Sequence, residues 1–201
     1  MILFWDTETT GLPDFRAPSD APQQPHLVQM ALVLCETTGA EVEAHSVIIR
    51  PDGWTIPDEV VNIHGITQAI ALERGIPETD AVVMFLAAIG KADIRVAHNE
   101  SFDRRIMRIA MLRSGISRDQ IEAIEARPSF CTCTAANPIV NLPPTDRMRA
   151  AGFTKPKPPK LAECIKHFFG EELPGAHDAL VDVRACARIY FHMISLKGQA
   201  A

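Results

Sequence analysis

A single α/β domain with a mixed sheet and helices packed on it is the architecture that this 201-residue sequence predicts. Two observations carry that expectation. Strand-like apolar runs come first and lie close together; alternating helix-like and strand-like segments follow, the order that lays helices on a mixed sheet. Composition is also steady along the chain, with 47% hydrophobic residues and no internal repeat, so one core suffices and nothing marks a domain boundary within residues 1–201.

The first element is the run Met1-Ile2-Leu3-Phe4-Trp5, which meets an acid at Asp6. It is far too short for a membrane span and lacks the basic region of a signal peptide, so it reads as a buried strand. Residues 13–25 hold four prolines and read as a loop. Residues 27–35 are continuously apolar apart from Gln29, as in a strand buried on both faces. Ala44 to Arg50 is its hairpin partner, with Gly39 in the turn, which makes an antiparallel meander of three strands.

The periodicity then changes. Pro57 followed by Asp58 and Glu59, closing at Gly65, has the proline-first, glycine-last asymmetry of a short helix. Thr79 to Gly90 predicts a helix with Val82, Val83, Leu86 and Ile89 on one side. Asp93 to Ala97 is a short strand, Ser101 to Leu112 a helix, and Ser129 to Cys133 a final strand. A proline-rich loop from Pro138 to Pro159 precedes two closing helices, Lys160 to Phe169 and Asp178 to Leu196.

A net charge of −5 argues against a protein that coats duplex by bulk electrostatics, though not against one that grips a strand end through bound cations. Basic residues are locally concentrated at Arg104, Arg105, Arg108 and Arg113, and again from Arg147 to Lys160. The five cysteines include no CxxC spacing; Cys131 and Cys133 alternate on the last strand and share a face. They read as small core residues in a reducing cytoplasm rather than as a metal site.

The chemistry lies in four acids. Asp6 and Glu8 stand at i and i+2 at the end of the first strand, so both carboxylates emerge on one face. Such a pair is either two turn acids or half of a divalent-cation site, since a cation between them removes their repulsion. Asp103 heads a helix whose next inward positions are Ile106, Met107, Ala110 and Met111. It is either the helix cap or a buried charge that requires a partner. Asp182 repeats the pattern inside a helix, among Ala179, Ala185, Cys186 and Ile189. Four inward acids from one strand and two helices suggest a shared cation site. His177, five residues before Asp182 and just ahead of a plausible cap at Asp178, is of the residue type that takes a proton from water near neutral pH.

Four short stretches in order carry a wider resemblance: Asp6-Thr7-Glu8-Thr9-Thr10-Gly11-Leu12, Ile63-His64-Gly65-Ile66-Thr67, His98-Asn99-Glu100-Ser101-Phe102-Asp103, and His177-Asp178-Ala179-Leu180-Val181-Asp182. Together they resemble the DnaQ-like, or DEDDh, family of 3′→5′ exonucleases. The resemblance implies a ribonuclease-H-like mixed five-stranded sheet, a meander plus two strands parallel to the first, with helices on both faces. It implies two Mg²⁺ or Mn²⁺ ions, with Asp6 bridging them, Glu8 and Asp182 holding one, Asp103 supporting the second and His177 acting as general base. Two hard cations suit an all-carboxylate set and stabilise the attacking and leaving oxygens of phosphodiester hydrolysis.

The same resemblance sets Thr9, Thr10 and Gly11 against the terminal 3′-hydroxyl and Leu12 as a wedge beside the last base, with Phe102 as a second apolar contact. Leu12 and Phe102 serve equally well as core residues; His64 and Asn99 lie near the site, where structural hydrogen bonding is the simpler role. The implied partner is a single-stranded 3′ end, DNA favoured over RNA because Asp-Thr-Glu-Thr-Thr-Gly-Leu resembles proofreading members. A polymerase or repair assembly is a further candidate partner, although the chain ends soon after Asp182 and leaves no long docking tail. Two departures from compact family members stand out: the insertion after Leu12 to Pro25, and Lys155, Lys157 and Lys160 before a catalytic-side helix, expected to meet the phosphates of the incoming strand.

Overall fold

The computed structural model describes residues 1–199, so the last two positions of the expected 1–201 domain lie outside the described residues. In chain order the elements are β1 (Ile2–Thr9), β2 (Leu27–Cys35), β3 (Glu41–Ile48), α1 (Asp58–His64), α2 (Gln68–Arg74), α3 (Glu78–Lys91) and β4 (Ile94–Ala97). There follow α4 (Glu100–Arg113), α5 (Arg118–Glu125), β5 (Ser129–Cys131), α6 (Thr132–Val140), α7 (Asp146–Ala150), α8 (Leu161–Phe169) and α9 (Ala179–Gln199). The strands form one sheet in the order β3-β2-β1-β4-β5. β1, β2 and β3 pair antiparallel, and β4 and β5 continue parallel to β1, which is the ribonuclease-H-like arrangement expected.

The two-residue period of β1 sorts both layers. Leu3 and Trp5 face α3 and α4, in a cluster with Phe85, Ile106 and Met107. Ile2 and Phe4 face α9, against Ala179, Val183, Cys186 and Tyr190. Trp5 lies 5.1 Å from the Phe85 ring and Phe4 meets Tyr190 edge-on at 5.4 Å. Burying each of these side chains contributes roughly 1.5–3 kcal/mol, so the central strand is held from both sides. β2 is buried along its whole length, as its unbroken apolar run required.

Four helices were not legible in the sequence, and each has a local cause. Thr67 caps α2 through its hydroxyl, and a reciprocal Ser117–Gln120 capping box starts α5. The expected loop from Pro138 to Pro159 is instead partly helical. α6 runs on through Pro138 to Val140, and Thr145 caps α7. A proline inside a helix loses a hydrogen bond, but Ala136 and Val140 pack against α8 and α9 and offset that loss. Because α6 begins at Thr132, β5 stops at Cys131; Cys133 is buried within α6, so the two cysteines do not share a strand face. In α3 the buried face is Ala81, Val82, Phe85, Ala88 and Ile89, whereas Val83 is exposed. The larger apolar residues had suggested a face rotated from the true one.

One buried ion pair fixes the helix that matters most below. Arg95 of β4 donates to Glu100, the first residue of α4, at 3.2 Å, and to the carbonyls of Ile124 and Glu125 at the end of α5. Glu100 thereby anchors the first turn of α4, three residues before Asp103.

Candidate active site

Beyond Phe4, the even positions of β1 continue toward α9 and the odd ones toward α4. Asp6 and Glu8 therefore emerge on the α9 side, where Asp182 lies one turn into that helix. Thr7 emerges on the other side and receives Asp103. Its backbone N–H and its hydroxyl both donate to Asp103 Oδ1, at 3.0 and 2.8 Å. Asp103 is 2% exposed, on the same buried face as Ile106, Met107 and Ala110. It is not the helix cap, a position taken by Asn99 with a left-handed backbone at φ 68°.

The start of α9 is built by its own sequence. Asp178 caps it, its Oδ1 accepting from the N–H groups of Leu180 and Val181 at 2.9 and 3.3 Å. His177 precedes the cap in a left-handed conformation, φ 73°, which turns its N–H back onto Asp182 Oδ2 at 3.1 Å. The other oxygen, Oδ1, is buried with no hydrogen-bond partner among the described residues. A nitrogen of the exposed His177 ring and one oxygen each of Glu8 and Asp182 lie within 4.8 Å of one another.

The four carboxylates act on each other. Burial, then Asp103, Glu8 and Asp182, hold Asp6 far above the ordinary carboxylate range. Burial, then the charges of Asp182, Asp103 and Asp178, push Glu8 up to about 8. Burial raises Asp103 to about 7 against the two bonds from Thr7, and burial likewise raises Asp182 against the bond from His177. Crowded acids with an unpartnered buried oxygen are a poor resting place for four negative charges and a good one for divalent cations.

The linkage has a definite sign. Folded-state values lie above unfolded ones, so between about pH 4 and pH 8 the folded chain holds more protons than the unfolded chain, and stability falls as pH rises. In EDTA the thermal midpoint is expected to drop from pH 5 to pH 8. Saturating Mg²⁺ should restore it by several degrees at pH 8 and far less at pH 5, on the order of 2.7 kcal/mol at a hundredfold excess over Kd. Scanning calorimetry at the two pH values checks this; a midpoint indifferent to Mg²⁺ at pH 8 would refute the cation site.

The remaining expected site residues are placed as follows. Thr9 is buried, its hydroxyl donating to the Gly11 carbonyl at 2.7 Å while Gly11 N–H returns to that hydroxyl at 3.3 Å. Thr10 Oγ1 accepts from the His26 N–H at 2.8 Å. Both threonines thus shape the turn after β1. Leu12 is 86% exposed, which removes core packing as its role, while Phe102 is half-buried against the core. His64 accepts the Ile66 N–H on Nδ1 at 3.1 Å; its Nε2 is buried near the Thr9 backbone without a well-formed hydrogen bond. Burial, and then the nearby His177, lower its basicity. The Asn99 side chain makes no capping bond. Of the three lysines, Lys157 is bound by both oxygens of Glu163 and is not free to meet a phosphate.

Two positioning residues escaped the sequence reading. Thr7 was only part of a motif, yet it alone bonds the Asp103 carboxylate from β1. Gln29, opposite Glu8 in the sheet, accepts from the Ala179 N–H at 3.3 Å and docks the first turn of α9 onto β2. The available signal was a lone polar residue in a strand otherwise buried on both faces.

The model of one protein family, described as RNase_T, Exonuclease, matches residues 3–190. Solved structures of E. coli exonuclease I share the fold. In the complex with a dA16 oligonucleotide the TM-score is 0.74 at 21% identity, over 98% of this chain and 41% of that one. In the complex with a dT13 oligonucleotide the TM-score is 0.75 at 21% identity, over 99% and 42%. The exonuclease I of Methylocaldum szegediense matches with a TM-score of 0.73 at 21% identity, over 98% and 41%. The chain thus spans about two-fifths of the length of these structures. No curated protein sequence matches it. Among the described residues no helix is long and apolar enough to cross a membrane.

Proposed function

The chain belongs to the RNase_T exonuclease family, and on that premise we propose that it removes nucleotides from the 3′ end of single-stranded DNA, releasing nucleoside 5′-monophosphates. One observation carries the reading: Asp6, Glu8, Asp103 and Asp182 converge from β1, α4 and α9, and His177 stands beside them. The unpartnered Asp182 Oδ1 and the mutual repulsion of the acids fit two Mg²⁺ or Mn²⁺ ions. Asp6, Glu8, Asp103 and Asp182 would be the residues that hold them. When bound, such ions stabilise negative charge on the oxygens of an in-line displacement.

The chain's own residues supply the rest. A water oxygen forms a bond to phosphorus as the bond from phosphorus to the 3′-oxygen breaks; that oxygen leaves with the electron pair and takes a proton from solvent, giving a 3′-hydroxyl on the shortened strand. The proton lost by the water passes to the exposed His177 ring. His177 N–H holds Asp182 in place during that transfer. The turn at Thr9, Thr10 and Gly11 receives the terminal 3′-hydroxyl, and Leu12 stands in solvent where it meets the last base. Asn99 offers a further polar contact beside the site and Phe102 an apolar one, while His64, its Nε2 buried, supports the turn after β1 from within. Single-stranded DNA is supported over RNA by the exonuclease I complexes of similar fold, which hold oligodeoxynucleotides.

The test is hydrolysis of 5′-labelled single-stranded DNA and matched RNA. A ladder shortening from the 3′ end in Mg²⁺ or Mn²⁺, absent in EDTA, is expected, with DNA the faster substrate. Activity surviving EDTA overturns the cation mechanism, and a faster RNA reaction overturns the choice of substrate.

A further inference from the structure

The insertion after Leu12 is a folded wall rather than a free loop. Buried Gln24 donates to the carbonyls of Asp14 and Pro18 at 2.9 Å and accepts the Asp14 N–H at 3.1 Å. Arg113 reaches over from α4 to the carbonyls of Pro25 and Gln24 at 2.8 and 2.6 Å, and Arg105 binds those of Asp14 and Ala17. Between this wall and the outer side of α4 runs a cleft of about 590 Å³, lined by Phe15, Ser101, Arg104, Arg105, Arg108 and Arg118.

Five arginines (Arg95, Arg104, Arg105, Arg108 and Arg118) stand against four carboxylates (Asp20, Glu100, Glu122 and Glu125) in and around the cleft, a positive excess of one in a chain whose net charge is −5. Arg108 is neutralised by Glu125 and Glu122, and Arg118 by Asp20. Arg104, however, shares Glu100 with the buried Arg95. Arg105 is paired with no carboxylate among the described residues; its guanidinium donates to carbonyls only, and its Nε is buried with no hydrogen-bond partner. Arg105 also lies over the ring of Phe15, 5.9 Å from its centroid, and that ring is 62% exposed. A positive channel with an exposed aromatic face is the arrangement that holds single-stranded nucleic acid, phosphates on the cations and a base on the ring.

The cleft's lining begins close to the proposed active-site residues along the chain. Phe15 follows Leu12 by three residues, at most about 11 Å of chain, and Ser101 precedes Asp103 by two in the first turn of α4. From Ser101 to Arg108 the lining extends about 10 Å along the helix. We propose that this cleft is a subsite for the nucleotides upstream of the scissile 3′ end, with Phe15 stacking on a base and Arg104 and Arg105 meeting phosphates. The proposal rests on the exonuclease reading and adds the path that the strand takes away from the carboxylates.

Arg105→Ala would also release the wall, so the decisive variants are Phe15→Ala and Arg104→Gln, both on exposed or half-exposed side chains. Binding of a fluorescent oligodeoxythymidylate is titrated against salt in Mg²⁺, in an Asp6→Asn background that leaves the strand intact. Phe15→Ala is expected to weaken binding roughly 5- to 100-fold. Arg104→Gln should flatten the log–log salt slope by about 0.7. With Asp6 restored, either variant should lower the ratio of kcat/KM for the long strand to that for a dinucleotide, which ends within the active site. Affinity, slope and ratio all unchanged, or equal losses on both lengths, would overturn the subsite and leave the exonuclease reading intact. Undiminished cleavage by Asp6→Asn would instead overturn the exonuclease reading itself.

Discussion

Asp6→Asn is expected to lower 3′-end hydrolysis at least about a thousandfold while raising the thermal midpoint of the metal-free protein. The two effects have one cause. Among the described residues no hydrogen-bond donor reaches the Asp6 carboxylate, and burial together with Asp103, Glu8 and Asp182 opposes its charge. In the absence of cations that charge destabilises the fold, and an amide of the same shape relieves it. With cations bound, the same carboxylate would be one of the ligands that hold them, and its loss would remove several kcal/mol of transition-state stabilisation, each 1.36 kcal/mol being tenfold in rate. Single-turnover hydrolysis and calorimetry in EDTA read the two quantities separately. Unchanged turnover would remove Asp6 from the site. A lowered midpoint would make Asp6 a structural acceptor, contrary to its lack of donors.

The residues proposed to carry the chemistry were the most legible in the sequence, for a physical reason. A carboxylate on the apolar face of a helix interrupts a period that packing otherwise enforces, and Asp103 and Asp182 did so among residues that are indeed buried. Asp6 and Glu8 were legible because a strand has only two faces. What the sequence hid was support from a distance. Thr7 and Gln29 act across 96 and 150 residues of chain, on Asp103 and on the first turn of α9, and no local pattern encodes such a partnership. The short helices α2, α5, α6 and α7 were hidden for a different reason. Helices of five to nine residues present less than three turns of periodicity, and α6 carries a proline that reads as a break. The basic cluster of α4 was visible as charge, but only the wall built by residues 13–25 turns it into a cleft.

His177→Asn is expected to lower turnover by about 10²- to 10⁴-fold, the usual worth of a positioned general base, while preserving the Mg²⁺-dependent rise in thermal midpoint. Asparagine is the informative replacement because His177 sits at φ 73°. Asparagine adopts that left-handed backbone readily, so the N–H that holds Asp182 Oδ2 at 3.1 Å stays in place. The imidazole is then the only function removed. Its nitrogen lies within 4.8 Å of Glu8 and Asp182 oxygens, a spacing equally open to a histidine that ligates a cation directly. The two roles separate in this variant: a base leaves cation stabilisation intact, and a ligand takes it away with the activity. Comparison with His177→Ala isolates the backbone contribution, since alanine strains the left-handed turn and loosens the bond to Asp182. Asparagine retaining full turnover while alanine loses it would transfer the role from the ring to the N–H, making His177 a residue that positions Asp182 rather than one that accepts the proton.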